Sequence, residues 1–295
     1  MDSLMAIILV NYNGYNDTVE CVHSILESTF TNYKIILVEN ESGDAEKVKK
    51  DTFLQSNTDI VFSDNNLGFS GGNNLGIAFA KQKYDPDYYL LLNNDTVIEK
   101  NTLEELIKVK VAYPDFGIVT GKILYYAKPD TIWAAGGKFS FKTGIADQPA
   151  LGKENKNEVE VLEKTTFVTG CVMLIRKEVI EKVGLLEESY FLYAEDTDYC
   201  CRVMKAGYDL YYTSAAIIYH KVSASTGKVS SLQQYYNLRN NFYIISKYCE
   251  SPLYGYARRF YRILKRRKSE GYSLRIVLRA WRDFRRGITG RVEGV

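Results

Sequence analysis

The sequence predicts a doubly wound α/β sheet, and three observations lead there. Four apolar runs, Ala6 to Val10, Ile35 to Val38, Ile60 to Phe62 and Tyr88 to Leu92, are continuous rather than alternating. That pattern suits strands buried on both faces of a parallel sheet. Between and after them, Val19, Val22, Ile25 and Leu26, and again Leu103, Leu106 and Ile107, recur at helical spacing. Finally, each apolar run is followed at once by a polar cluster, and in such sheets ligands bind beyond the carboxyl ends of the strands.

Residues 127–165 lack a sustained period and read as a long excursion with a hairpin. From Phe167 to Ile175 strand character returns, and Lys177 to Val183 reads as a short helix stopped by Gly184. With 295 residues and 46% hydrophobic content the chain can bury a full core. One large domain over 1–250 is expected, with an appendage over 251–295. Charge divides the same way: residues 252–295 hold 13 Lys/Arg against three acids, an excess of +10 that leaves −8 for the rest. An acidic body with a basic tail points to an anionic surface as partner.

The five cysteines include an adjacent pair, Cys200-Cys201, and no CxxC spacing. Reduced thiols are the expectation. The start, Met1 onward, has no basic segment and no small-residue cleavage site, so a cytoplasmic protein is expected. No apolar run approaches the ~18–20 residues of a membrane span.

The strand ends carry the chemistry. After the first comes Asn11-Tyr12-Asn13-Gly14 and after the second Glu39-Asn40-Glu41-Ser42. Short amides and acids there suit a base and ribose, with Tyr12 as a stacking face; ordinary turn chemistry is the alternative. After the third, Asn65-Asn66-Leu67-Gly68 runs to Asn73-Asn74-Leu75-Gly76, where glycines admit close backbone approach before a helix. It is neither a Walker loop nor a Gly-x-Gly-x-x-Gly fingerprint. After the fourth stands Asn93-Asn94-Asp95. A single carboxylate flanked by amides suits Mg²⁺ or Mn²⁺ completed by donor phosphates, or else a helix cap.

Further on, Tyr193-Ala194-Glu195-Asp196-Thr197-Asp198 packs three carboxylates behind an aromatic run. Close acids beside apolar walls raise one another's pKa and supply a candidate general base; a charged helix start is the other reading. His220 follows the apolar Ile217-Ile218-Tyr219 and is either a structural histidine or a metal ligand.

In this order the motifs resemble family 2 glycosyltransferases of the GT-A fold, particularly the bacterial rhamnosyltransferase-like branch. The resemblance runs from Val10-Asn11-Tyr12-Asn13-Gly14 to about Ser225. It is strongest over Phe167-Val168-Thr169-Gly170-Cys171 through Arg176, Val183-Gly184-Leu185, Tyr193-Ala194-Glu195-Asp196-Thr197-Asp198, Arg202, Gly207-Tyr208 and His220. It implies a mostly parallel central sheet flanked by helices, with a nucleotide-sugar half over about 1–125 and an acceptor half over about 126–250.

The resemblance implies donor contacts at Asn11, Tyr12, Asn13, Glu39, Asn40, Asn66, Gly68, Asn73, Asn93, Asn94 and Asp95, and metal at Asp95 and His220. Asp196 would be the base of an inverting transfer, supported by Glu195. Two departures stand out: Glu39 replaces the family's Asp, and Asn93-Asn94-Asp95 has one carboxylate where Asp-x-Asp has two. L-rhamnose from dTDP-rhamnose is the expected donor, with UDP-galactofuranose, UDP-N-acetylglucosamine, UDP-glucose or UDP-galactose as alternatives. The acceptor would be a cell-surface polysaccharide or a polyprenyl-diphosphate-linked saccharide. A sugar nucleotidyltransferase would need a basic glycine-rich loop after the first strand, and a non-catalytic module would not need the Glu195-Asp196 pair.

In the tail, Leu274, Val277, Leu278, Trp281 and Ile288 form an apolar stripe beside Arg275, Arg279, Arg282 and Arg286. With Arg258, Arg259, Arg262 and Lys265 to Lys268, that suits a peripheral helix on anionic lipid at the inner face of the plasma membrane, or a helix packed on the body. The tail carries no nucleic-acid motif, so no nucleic-acid partner is expected. A homodimer stays open.

Overall fold

The computed structural model describes residues 3–156, 160–222 and 230–293, with the side chains of 266–270 outside it. Each early apolar run is a strand: β1 (Met5–Asn11), β2 (Tyr33–Glu39), β3 (Asp59–Phe62) and β4 (Tyr88–Leu92). Helices α1 (Tyr15–Leu26), α2 (Ala45–Lys50), α3 (Thr52–Asn57) and α4 (Gly68–Tyr84) connect them. The strands lie parallel in the order β3-β2-β1-β4. Ile7 and Leu9 join one apolar cluster, while Ala6 and Ile8 join another on the opposite face. Burial on both faces is why the runs of β1, β2 and β4 do not alternate, whereas β3, at the edge of the sheet, is only partly buried and leaves Phe62 exposed.

Next come β5 (Thr96–Ile98), α5 (Thr102–Ala112) and β6 (Ile118–Tyr125). The excursion over 127–165 holds more than a hairpin: β7 (Lys128–Ala135), β8 (Lys138–Ser140), β9 (Ile145–Asp147) and β10 (Leu162–Thr165). β8 and β9 pair as a separate two-stranded sheet. β7 lies antiparallel on β6, and β10 antiparallel on the later strand β12 (Leu210–His220). Lys128, Pro129 and Asp130 of β7 and Leu162 to Lys164 of β10 are exposed, so neither strand leaves an apolar signature. β11 (Val172–Arg176), α6 (Lys177–Val183) and α7 (Glu195–Lys205) precede β12. β11 runs antiparallel to both β4 and β6, and so joins the parallel half to a mixed half in the order β10-β12-β6-β11-β4-β1-β2-β3.

Residues 230–293 are helical: α8 (Ser231–Tyr248), α9 (Pro252–Glu270) and α10 (Leu274–Arg285). They share an apolar cluster in which Phe242 of α8 meets Trp281 at 5.0 Å, Phe260 at 5.4 Å and Phe284 at 5.8 Å between ring centroids. Asp283, 3% exposed, accepts from the Tyr235 hydroxyl at 3.0 Å and pins α10 to α8.

This corrects one use of the tail. Val277 and Trp281, read as part of a lipid-facing stripe, pack against α8 and α9 instead, because an amphipathic period serves a protein core as well as a bilayer. Leu278, Arg275 and Arg282 stay at the surface, while Arg266 to Lys268 and Ser225 lie outside the described residues or side chains. Among the described residues no helix is long and apolar enough to cross a membrane.

Phe242→Ala empties the centre of this shared core, and we expect a loss of about 3–5 kcal/mol in urea unfolding with one cooperative transition. A separate early transition that leaves the rest folded would contradict the shared core.

Candidate active site

The carboxyl ends of β1, β2 and β4 and the start of α4 open onto a cavity of about 600 Å³. Its wall carries Tyr12, Asn13, Asn40, Asn66, Gly68, Asn73, Asn93, Asn94 and Asp95. Tyr12 is half exposed, with its ring available for stacking. Asn40 donates to Asn66 Oδ1 at 3.3 Å and to the Gly68 carbonyl at 3.2 Å, and accepts from the Leu67 N–H at 3.0 Å. The turn into α4 is thereby fixed to the end of β2.

Asn11 and Glu39 are not on the wall. Both are buried, and Asn11 Nδ2 donates to Glu39 Oε2 at 2.5 Å. Asn11 Oδ1 also accepts from the Gly14 N–H at 3.1 Å and Asn94 Nδ2 at 3.3 Å, while Glu39 Oε1 accepts from the Ser42 N–H at 3.0 Å. Short polar groups at strand ends read equally well as ligand contacts or as braces. Here their hydrogen bonds tie β1, β2 and the Asn93-Asn94-Asp95 turn together beneath the cavity.

Asp95 follows β4, and the pairing of β5 with β12 sets Thr96 opposite His220. His220 Nε2 lies 3.1 Å from Asp95 Oδ1, and its ring packs edge-on against Trp133 at 4.4 Å. Burial opposes the imidazolium, but the adjoining Cys171 and Asp95 groups raise the His220 pKa. Burial also pushes the Cys171 thiol up, so at neutral pH the carboxylate is the charged neighbour. Burial likewise opposes the Asp95 charge, yet the His220 hydrogen bond holds its pKa below the ordinary value. Among the described residues no three His, Cys, Asp or Glu side chains converge on a point. The Asp95 carboxylate, with Asn93 and Asn94 beside it on the wall, fits a hard divalent cation whose other ligands come from phosphate; His220, raised toward the imidazolium, would have to give up its proton to join it.

The acids open α7 behind an unusual loop. Phe191, Tyr193 and Ala194 have φ of 65°, 65° and 74°, a left-handed conformation costing about 1–3 kcal/mol each in side-chain-bearing residues. Asn240 of α8, wholly buried, holds the loop by donating Nδ2 to the carbonyls of Tyr190 (2.9 Å), Leu192 (2.8 Å) and Tyr193 (2.8 Å). Arg239 Nη2 adds a bond to the Tyr190 carbonyl at 3.2 Å. The Phe191 carbonyl accepts from the Phe69 N–H at 2.9 Å, and a Cβ on Gly68 would lie 2.3 Å from that carbonyl oxygen. Only glycine, at φ 69°, permits this approach.

Asp196 Oδ2 accepts from the Gly170 N–H at 3.2 Å and Oδ1 from the Thr197 N–H at 2.6 Å. Burial raises its pKa, with these bonds acting against the rise. Glu195 is 5% exposed, and among the described residues its Oε2 has no hydrogen-bond partner. Burial first and the Asp196 charge second push it well above the usual carboxylate range. Asp198 differs: Lys247 and Tyr248, each at 2.7 Å, and Arg202, also at 2.7 Å, overcome its burial and keep it ionised as an anchor. Glu195, Asp196 and His220 do not line the cavity. Gly170 stands between the Phe69 ring, which does line it, and Asp196: a Cβ there would lie 2.9 Å from the ring and 3.7 Å from Asp196 Cβ.

Sequence reading passed over Arg239, Asn240, Phe69, Phe191 and the C-terminal Arg291, Val292 and Glu293 on the wall. A signal existed for the first two: Tyr236, Arg239, Asn240 and Tyr243 recur at helical spacing, placing polar groups within the stripe that carries Tyr235, Leu238 and Phe242 inward.

The model of glycosyl transferase family 2 matches residues 6–184. The chain is 27% identical over 242 residues to the low-salt glycan biosynthesis hexosyltransferase Agl10 of Haloferax volcanii, covering 81% of this chain and 74% of that one. It is 26% identical over 253 residues to the rhamnosyltransferase WbbL of Escherichia coli K12, covering 82% and 93%. Among solved structures, GalNAc-T7 with UDP, GalNAc and Mn²⁺ superposes with a TM-score of 0.69 at 14% identity. That match covers 97% of this chain and 56% of GalNAc-T7, so the chain spans little more than half of it.

The raised Glu195 pKa has a testable sign. The folded protein keeps this proton where the unfolded chain, ionising near 4.5, has lost it, so stability falls as pH rises through that window. Glu195→Gln does not titrate. Relative to the parent it should gain up to about 1.4 kcal/mol per pH unit above that value, measured by urea unfolding from pH 4 to 8. A difference that stays flat with pH would contradict a protonated Glu195.

Proposed function

The chain belongs to glycosyl transferase family 2, and we propose that it is an inverting enzyme moving L-rhamnose from dTDP-rhamnose to a hydroxyl of a cell-surface polysaccharide or lipid-linked saccharide. One observation carries the proposal: a polar cavity bearing the ionised Asp95 lies beside a buried carboxyl pair, Glu195 and Asp196, whose pKa values are raised. Such separation of two acidic sites suits leaving-group binding at one and proton removal at the other. The rhamnose reading is supported by the match to WbbL along nearly all of that protein. A UDP-linked sugar is the second reading, favoured by the UDP held by GalNAc-T7.

In this reading Tyr12 stacks on the base, while Asn40 and Asn66 shape the pocket around the nucleoside. Asp95 and His220 would hold Mg²⁺ or Mn²⁺, which when bound supplies positive charge to the leaving diphosphate. Asp196 takes the proton of the acceptor hydroxyl as its oxygen attacks the anomeric carbon. The bond from that carbon to the diphosphate oxygen breaks, and its electron pair leaves with the nucleotide. A raised pKa makes Asp196 a stronger base than an exposed carboxylate. A protonated Glu195 keeps a second negative charge away from it. The acceptor would arrive past Phe69 and the Phe191 to Tyr193 loop, the side on which Asp196 lies. Association with the inner face of the membrane, through the exposed arginines of α10, belongs to the same reading.

Asp196→Asn should lower kcat by about 10²–10⁴-fold with nucleotide affinity within twofold of the parent. Asp95→Asn should weaken metal-dependent nucleotide binding as well as turnover. Both are checked with a panel of dTDP- and UDP-sugars under Mn²⁺ or Mg²⁺, scored by transfer and by calorimetric binding. Normal transfer by Asp196→Asn would remove the base assignment.

A further inference from the structure

Three carboxylates, Asp17, Asp95 and Glu293, face the cavity, and among its described lining residues the one basic side chain is Arg291. We infer that Arg291, carried by the segment after α10, binds the diphosphate of the nucleotide; the inference rests on the donor-site reading above.

The segment is built in rather than adjacent. Past Arg285 the chain turns through Gly287 and Gly290, with φ of 71° and 68°, and returns to the cavity. The Gly290 N–H donates to the Ser189 carbonyl at 2.6 Å, and Arg239 Nη1, fully buried, donates to the Gly290 carbonyl at 2.9 Å. Beyond Arg291, the Val292 N–H donates to the Tyr236 hydroxyl oxygen at 2.8 Å, and Arg279 Nη2 to the Glu293 carbonyl at 3.0 Å. Both neighbours of Arg291 are therefore fixed, and Tyr236 and Val292 themselves line the cavity.

The Arg291 side chain is exposed and makes no ion pair with Asp17, Asp95 or Glu293. A guanidinium held at the wall, with no hydrogen bond or ion pair to its side chain among the described residues, suits a phosphate group, which it can meet through two parallel N–H bonds. Asp17 and Asp95 are already paired, with Lys221 at 2.6 Å and His220 at 3.1 Å behind the wall, so among the described lining residues Arg291 is the side chain that can set a positive charge directly against a diphosphate. Arg239 serves two parts of the site at once, since the same guanidinium holds the Tyr190 carbonyl ahead of the acids and the Gly290 carbonyl ahead of Arg291. The basic appendage thus contributes to the donor site and not only to the surface.

The test is calorimetric binding of UDP and TDP with Mn²⁺, and of UMP and TMP, to the full chain and to Arg291→Ala and Arg291→Lys. We expect Arg291→Ala to bind the diphosphates about 10- to 100-fold more weakly with monophosphate affinity within threefold, and Arg291→Lys to recover part of the loss. Its urea midpoint should match the parent, because the side chain is exposed. Unchanged diphosphate binding, or equal loss for mono- and diphosphates, would overturn the assignment. With geranyl diphosphate titrated alongside, a loss confined to that ligand would also overturn it and move Arg291 to a lipid-linked acceptor. Failure of the parent protein to bind any of these nucleotides would instead remove the donor-site reading, and this assignment with it.

Discussion

Three backbone carbonyls, those of Tyr190, Leu192 and Tyr193, converge on the side-chain amide of Asn240, and the site depends on that capture. Left-handed backbone at Phe191, Tyr193 and Ala194 is costly on its own, about 1–3 kcal/mol per residue. Buried hydrogen bonds contribute about 1 kcal/mol each, so packing of the surrounding aromatic cluster must supply the rest. In return the loop sets Glu195 and Asp196 at the start of α7, presents the Phe191 carbonyl to Phe69, and leaves room at Gly68 for that contact. The helix that organises the donor-side turn and the acidic pair is therefore α8, which lies outside the region matched by the family model.

The same principle, environment deciding the fate of a carboxyl group, separates the acids of the site. Asp95 and Asp198 are held ionised by cationic or hydrogen-bonding partners that outweigh their burial. Glu195 has no partner for Oε2 and a like charge beside it, so burial prevails. Asp196 lies between, its rise limited by the Gly170 and Thr197 donors. Three neighbouring acids in sequence thus become one anchor, one base candidate and one protonated companion.

Much of this was legible in the chain. Continuous apolar runs located β1 to β4, for β1, β2 and β4 because strands buried on both faces need no alternation, and Lys177–Val183 emerged with its bounds as read. Of the residues read at the strand ends and in the turn into α4, Tyr12, Asn13, Asn40, Asn66, Gly68, Asn73, Asn93, Asn94 and Asp95 stand on the cavity wall. Asn11 and Glu39 show where such reading stops: their amide and carboxylate face each other across two strands, a pairing set by register rather than by residue type. β7 and β10 were hidden because their exposed residues, Lys128 to Asp130 and Leu162 to Lys164, break any apolar run. Arg239 and Asn240 act through contacts across about 50 residues of chain, one of which holds Gly290 beside Arg291, and no local pattern encodes those.

The central claim, that the diphosphate lies between Asp95 and the C-terminal segment, is most directly tested by a crystal structure with TDP or UDP and Mn²⁺, using anomalous scattering to place the metal. The expected result is manganese against Asp95, with the diphosphate spanning from it toward Arg291. A nucleotide bound elsewhere, such as the groove lined by Arg275, Arg279 and Arg282 on α10, or manganese away from Asp95, would contradict it.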